Sequence, residues 1–244
     1  MLKKFSKAVK VLLVGAAMIP VASLANASIP THQYRLDGSF SDDMGGADLL
    51  GNGGAFVGTN YLFARNQGVT LLADLGSEYT VDLKYSFASH GVWQKIIDFK
   101  GLKSDYGLYT HLSDYSFFPA AESFGASAEN GIMSRLTATR TTDGIFSLYQ
   151  DGNLKGSFRD NARSAVQFGN PLSFFIDDRA TGGAEAGAGS LDFIRTYSTA
   201  LSADEVRGLS STVLTPVPEP SSLAMLVCGL ALIGAIGKRR SKSK

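Results

Sequence analysis

From Tyr79 to Ala88 the chain reads YTVDLKYSFA, with Tyr79, Val81, Leu83, Tyr85 and Phe87 alternating with Thr80, Asp82, Lys84, Ser86 and Ala88. A period of two is the side-chain spacing of a β-strand, so this segment predicts a strand with one buried and one wetter face. The pattern recurs on both sides of it. Candidate strands are His32 to Asp37, Val69 to Leu72, Val92 to Phe99, Tyr106 to His111, Ile132 to Arg140, Ile145 to Gln150, Leu154 to Phe158, Leu172 to Asp178 and Ser190 to Tyr197. Asp143-Gly144 and Asp151-Gly152-Asn153 carry the chemistry of tight hairpin turns. Many short antiparallel strands imply an all-β sandwich.

Only one internal helix is expected. Ser202 with Glu205 three residues on forms a capping box that opens Ala203 to Leu209, just after the last strand. Gly38 to Gly58 and Thr181 to Ser190 read as long glycine-rich surface loops, and residues 210–216 as a linker.

Both ends of the chain speak of export. Lys3, Lys4, Lys7 and Lys10 precede the apolar run Val11 to Ile19, and Ala25-Asn26-Ala27 gives the small-x-small pattern that a signal peptidase cleaves, so residues 1–27 read as a signal peptide. At the other end, Val217 to Lys244 reads VPEPSSLAMLVCGLALIGAIGKRRSKSK. The prolines around Glu219 lack amide donors and keep the segment extended and open to a processing enzyme. From Ser221 to Gly237 roughly 17 residues would form a helix about 25 Å long, the short end of what crosses a hydrocarbon core of about 30 Å. Lys238, Arg239 and Arg240, within the basic end 238–244, would hold its terminus on the cytoplasmic side and leave the bulk of the chain outside. Cys228, the only cysteine, lies in this helix and reads as a small apolar residue.

Once these ends are set aside, Ser28 to Val217 keeps 14 Lys and Arg against 21 Asp and Glu, a net charge of −7. No basic stripe remains to track a phosphate backbone, which argues against nucleic acid and acidic lipid surfaces as partners. With no cysteine in this part, stability outside the cell rests on a packed core rather than disulfides.

The tail Val217, Pro218, Glu219, Pro220, the apolar stretch and the terminal Lys238, Arg239 and Arg240 together resemble the PEP-CTERM tail of Gram-negative exported proteins. That resemblance implies processing by an exosortase, transient anchoring in the inner membrane, and delivery to the cell surface or extracellular matrix. Residues 28–209 are similar to the concanavalin A-like, laminin-G-like jelly roll. The similarity rests on YRLDGSFSDDMGG, on VWQKIIDFKG followed by YGLYTH, on TTDGIFSLYQDGNLKGSF, and on the close FFIDDRATGGAEAGAGSLDFIRTYSTALSADEVRGL. It implies two curved antiparallel sheets packed face to face, with rim loops open to ligands. It also implies a structural calcium joining the two termini, with Asp37 and Asp192 as its carboxylates. The alternative for these two is a strand-edge position facing water or an arginine such as Arg35 or Arg195, with Asp177 and Asp178 as the other carboxylates that could contribute to the metal.

Catalytic patterns are missing. A glycosidase needs two carboxylates held close together, and none of Glu78, Glu122, Glu129, Glu185 and Glu205 has an acidic residue two places on. Asp177 and Asp178 are adjacent, so on a strand they would point to opposite faces. No G-x-S-x-G elbow exists, and His32, His90 and His111 lack metal-ligand spacing. The expectation is a non-enzymatic module that binds an exopolysaccharide or other glycan, or serves adhesion in a biofilm. The alternatives are a carbohydrate-active hydrolase, or an inert module on a permanent anchor. Ligand-binding candidates come from the aromatic middle of the chain: Trp93, Tyr109, Asp114 and Tyr115, with Asp105 or Asp114 to accept from sugar hydroxyls. Trp93 shares its segment with Val92, Ile96 and Phe99, which favours a core position, whereas Ser113, Asp114 and Ser116 around Tyr115 favour exposure.

Overall fold

The computed structural model describes residues 28–120 and 123–210. The signal-cleavage residues Ala25 and Ala27, the sorting residues Val217 to Pro220, the tail helix 221–237 and the basic cluster Lys238, Arg239 and Arg240 lie outside the described residues. Among the described residues no helix is long and apolar enough to cross a membrane.

In chain order the strands are β1 (His32–Tyr34), β2 (Leu50–Gly51), β3 (Ala55–Val57), β4 (Asn60–Phe63), β5 (Val69–Leu71), β6 (Tyr79–Phe87), β7 (Trp93–Asp98) and β8 (Gly107–His111). Then come β9 (Asp114–Phe118), β10 (Ser134–Arg140), β11 (Ile145–Gln150), β12 (Asn153–Arg159), β13 (Leu172–Phe174), β14 (Gly189–Tyr197) and the helix α1 (Ala203–Ser210). They form two antiparallel sheets. One has eight strands in the order β12-β11-β10-β6-β14-β4-β3, with β1 also paired to β14; the other has six, β2-β5-β13-β7-β8-β9. The fold class is the expected one, an all-β jelly-roll sandwich with a short C-terminal helix.

β6 lies near the middle of the eight-stranded sheet, between β10 and β14. Its apolar row, Val81, Leu83, Tyr85 and Phe87, faces the six-stranded sheet, whose inner face supplies Val69, Leu71, Ile97, Leu108, Phe117 and Phe174 to the same core. Aromatic contacts tie the two sheets. Phe117 of β9 meets Phe146 of β11 at 4.9 Å between centroids, and Phe175 stacks on Phe63 at 4.5 Å and meets Tyr85 at 5.1 Å.

The other row of β6 departs from the expected wet face. Thr80 and Asp82 are fully buried and Ser86 nearly so, leaving only Lys84 half-exposed. Neighbouring strands explain it: Asp82 accepts hydrogen bonds from Arg135 Nε at 2.7 Å, Arg195 Nε at 3.1 Å and Thr137 Oγ1 at 2.9 Å. The long arginine side chains roof the polar row with their own stems. Helix α1 covers the same outer face, packing Val206 and Leu209, with Leu201, against Tyr149 and Tyr197. Its start is the expected capping box. Ser202 Oγ donates to Glu205 Oε2 at 2.7 Å, and the Ser202 amide donates to the same oxygen at 2.8 Å.

Turn chemistry fixes the ends of several strands. Asp151 and Gly152, at φ 50° and 81°, form the two-residue loop that joins β11 to β12, the left-handed pair that Asp-Gly suits. Two strands that fall short of their expected span are followed by a left-handed residue. β1 stops at Tyr34 before Leu36 at φ 56°, and β13 stops at Phe174 before Phe175 at φ 59°. Strands β2, β3 and β4 occupy or border the stretch read as a glycine-rich loop, and β9 was not expected.

Candidate functional site

The site is built on the face of the six-stranded sheet turned away from the core. Trp93 pairs with His111 and Lys95 with Tyr109 across β7 and β8, while His111 pairs with Asp114 and Gly107 with Phe118 across β8 and β9. Cross-strand partners share a face, so Trp93, Lys95, Tyr109, His111, Asp114 and Phe118 form one surface. The register shifts between Lys95 and Ile97, which lets Ile96 and Ile97 both enter the core while Trp93 and Lys95 turn outward. This bulge is why Trp93 leaves the core position that its apolar neighbours favoured. Its indole lies over the His111 ring, with centroids 3.9 Å apart and planes 9° from parallel, and meets Tyr109 and Phe118 edge-on at 5.5 and 6.3 Å. Phe118 is 39% exposed. An aromatic ledge therefore stands open to solvent.

Beneath the ledge lies a buried ion cluster. Lys95 is fully enclosed, its Nζ in direct contact with Asp178 Oδ2, 3.4 Å from Asp98 Oδ2 and 3.6 Å from Asp177 Oδ1. The same ammonium sits 4.6 Å from the centroid of the Tyr109 ring. Asp177 and Asp178 follow the end of β13 in a loop, so the opposite-face rule of a strand does not apply and both carboxylates converge on one cation. Burial pushes the Asp178 carboxyl up, but Lys95 and the amides of Ala180 and Thr181 outweigh it and hold the group below the usual carboxylate range. Asp98 goes the other way: burial raises it further than the Leu102 and Lys100 amides and Lys95 lower it.

Two further carboxylates stand above the cluster. Asp105 Oδ1 accepts from the buried Tyr109 hydroxyl at 2.5 Å. Glu185 is carried by the glycine-rich loop before β14, which is pinned where the Lys95 amide donates to the Glu185 carbonyl and the Glu185 amide donates to Asp177 Oδ2, each at 2.8 Å. The loop packs this closely because Gly187 has no side chain: a Cβ there would lie 2.3 Å from Gln94 Nε2 and 2.9 Å from the Phe87 ring. Glu185 has its pKa raised to about 7, first by burial and then by the charges of Asp105 and Asp177. A cavity of about 120 Å³ is lined by Trp93, Asp105, Phe118 and Glu185. A larger cleft of about 490 Å³ shares Trp93 and Glu185 and runs past Arg65, Val92 and Gln94.

The residues singled out from sequence fare differently. Trp93 and Asp114 reach the outer face, where Asp114 accepts from Ser123 Oγ at 2.8 Å. Tyr109 is on that face but sealed beneath Trp93 and Lys95, so its hydroxyl positions Asp105, the acceptor that lines the cavity beside Trp93. Tyr115 is fully buried, against the expectation of exposure, because β9 alternates and turns Tyr115 and Phe117 into the core. Asp37 lies 3.7 Å from Arg35 Nη1, and Asp192 accepts from Lys84 at 2.8 Å. Each already faces a cation, and among the described residues no group of three or more His, Cys, Asp or Glu is arranged to hold a metal. The residues at these two places therefore do not fit a calcium cage. Lys95 and Glu185 were missed; alternation along Trp93-Gln94-Lys95 held the only signal for the first, and the second lies on a loop that periodicity does not read.

Residues 216–241 match the PEP-CTERM protein-sorting motif, so the chain carries the C-terminal mark of an exported, exosortase-processed protein directed to the cell envelope. No curated protein matches the sequence. Among solved structures, Trypanosoma rangeli sialidase in complex with 2,3-difluorosialic acid superposes with a TM-score of 0.58 at 17% identity, over 73% of this chain and 32% of that one. This chain thus spans about a third of the length of the sialidase it matches. Domain 4 of AbnA, a GH43 extracellular arabinanase from Geobacillus stearothermophilus in complex with arabinotriose, gives a TM-score of 0.58 at 14% identity, over 76% of this chain and all of that domain. At such identities the likeness is one of fold: a β-sandwich shared with carbohydrate-binding and sialidase-like proteins.

Proposed function

We propose that this is a cell-surface or matrix module that binds carbohydrate without cleaving it, through the Trp93 face of the six-stranded sheet. The leader would carry it across the inner membrane, the tail would hold it there, and exosortase processing near Val217 to Pro220 would release or transfer it. The observation that carries the ligand reading is the open aromatic ledge, Trp93 on His111 beside Phe118, bordered by carboxylates in a cleft. Sugar rings present CH-rich faces to aromatic rings and hydroxyls to carboxylates, and this face offers both partners. The arabinotriose held by the AbnA domain lends support from a protein of similar fold.

A hydrolytic reading has one observation in its favour: Glu185, raised to about 7, lines the same cavity as Asp105, as an acid and its partner would in a glycosidase. One experiment separates the two. The purified protein is applied to a broad glycan array and then incubated with each bound polysaccharide. Retention without new reducing ends supports the binding module, release of reducing ends supports the hydrolase, and a blank array rejects both.

A further inference from the structure

We propose that the cleft selects a cationic amino sugar, a de-N-acetylated hexosamine polymer, seating a ring on Trp93 and its ammonium between Asp105 and Glu185. This rests on the carbohydrate reading and names the ligand class for the same site.

Five carboxylates, Asp98, Asp105, Asp177, Asp178 and Glu185, surround or overlie the single ammonium of Lys95. Lys95 is already shared among Asp98, Asp177 and Asp178. Among the described residues neither Asp105 nor Glu185 has an ion-pair partner, and these two line the cavity with Trp93 and Phe118. Asp177 is satisfied within the cluster, its Oδ1 3.6 Å from Lys95 Nζ and its Oδ2 accepting from the Glu185 amide. Arg65 lines the larger cleft, but its Nη2 donates to the Ala184 carbonyl at 2.5 Å, and it forms no ion pair with Asp105 or Glu185.

A neutral sugar would leave Asp105 and Glu185 side by side without a cation. A uronic or sialic acid would add a further negative charge to a domain of net −7. An ammonium relieves the repulsion and gains charge-assisted hydrogen bonds. The electron-rich face of an indole also attracts a cation, so platform and rim favour the same ligand. Glu185, raised to about 7 by burial and by Asp105 and Asp177, behaves as a group short of positive neighbours.

The test titrates the full chain with three oligosaccharides of equal length, a glucosamine hexamer, its N-acetylated form and an oligogalacturonate, and reads the fluorescence of Trp93. The glucosamine hexamer is expected to bind about tenfold more tightly than the N-acetylated form, the worth of one charge-assisted hydrogen bond, and the uronate not at all. The preference should narrow between about 0.05 M and about 0.5 M salt. Glu185→Gln and Asp105→Asn should each remove most of it, whereas Asp204→Asn on α1, on the opposite side of the sandwich, should not. Equal or tighter binding of the N-acetylated or acidic hexamer overturns the inference and leaves glycan binding standing. So does an equal loss in Asp204→Asn, which would make the preference one of bulk charge. No binding of the glucosamine hexamer also overturns it, and a glycan array blank throughout removes the carbohydrate reading as well.

Discussion

Trp93 lies flat on His111, their ring centroids 3.9 Å apart, on the outer face of a sheet whose inner face is the core. Since Trp93 is the only tryptophan in the chain, its fluorescence reports on this ledge alone. A glycan that docks there should shift the emission of the wild-type protein, and Trp93→Ala should weaken binding by roughly tenfold or more, as loss of a stacking platform does elsewhere. Unchanged emission at saturating glycan would place the ligand on another surface.

Lys95 holds three buried carboxylates together, so Lys95→Met should cost about 3–5 kcal/mol, measured by urea unfolding, because it leaves uncompensated buried charge. The loss should be greatest above neutral pH, where every carboxylate of the cluster must ionise without its cation. In acid, protonation of Asp98, whose carboxyl burial already raises, should recover part of it. A loss below about 1 kcal/mol at all pH values would mean that water reaches the cluster.

Glu185 gives the pH dependence a defined sign. Its pKa rises from 4.5 unfolded to about 7 folded, so the folded state binds the proton more tightly. The resulting stabilisation is complete below about pH 4.5 and is lost as pH rises through about 7. Glu185→Gln, which cannot ionise, should lack this fall, so the wild-type-minus-variant difference in stability should decline between these values. Identical slopes for the two proteins would show that Glu185 titrates as a solvent-exposed group.

How far the sequence could be read follows from what each residue's pattern reports. β6 and the Asp151-Gly152 hairpin were legible because alternation and left-handed turn residues are local properties. The burial of Asp82 and Thr80 was not, since it depends on Arg135 and Arg195 arriving from β10 and β14. Within the candidate site, Trp93 was named but assigned inward, because a one-residue bulge at Ile96 inverts the reading of every side chain before it. Asp105 was legible as an acceptor near the aromatic residues of its own segment. Its partner Glu185 was not, because it comes from a loop far along the chain and only the closed sandwich brings the two to one cavity.

The face opposite the ledge is organised around Asp82. Asp82 is the single buried acceptor between two buried guanidiniums, and Arg135 also donates from Nη1 to the carbonyl of Leu209 in α1. Removing the carboxylate leaves two cations in a site that burial already makes costly for charge. Asp82→Ala should therefore destabilise the fold by about 3–5 kcal/mol. It should also loosen α1, read as faster amide exchange in residues 203–210 than in β6. Arg135→Leu in the same background should recover part of the stability, since it removes one of the stranded charges. If Asp82→Ala unfolds no more readily than the wild type, the two arginines reach solvent and the Asp82 carboxylate is not what holds α1 on the sheet.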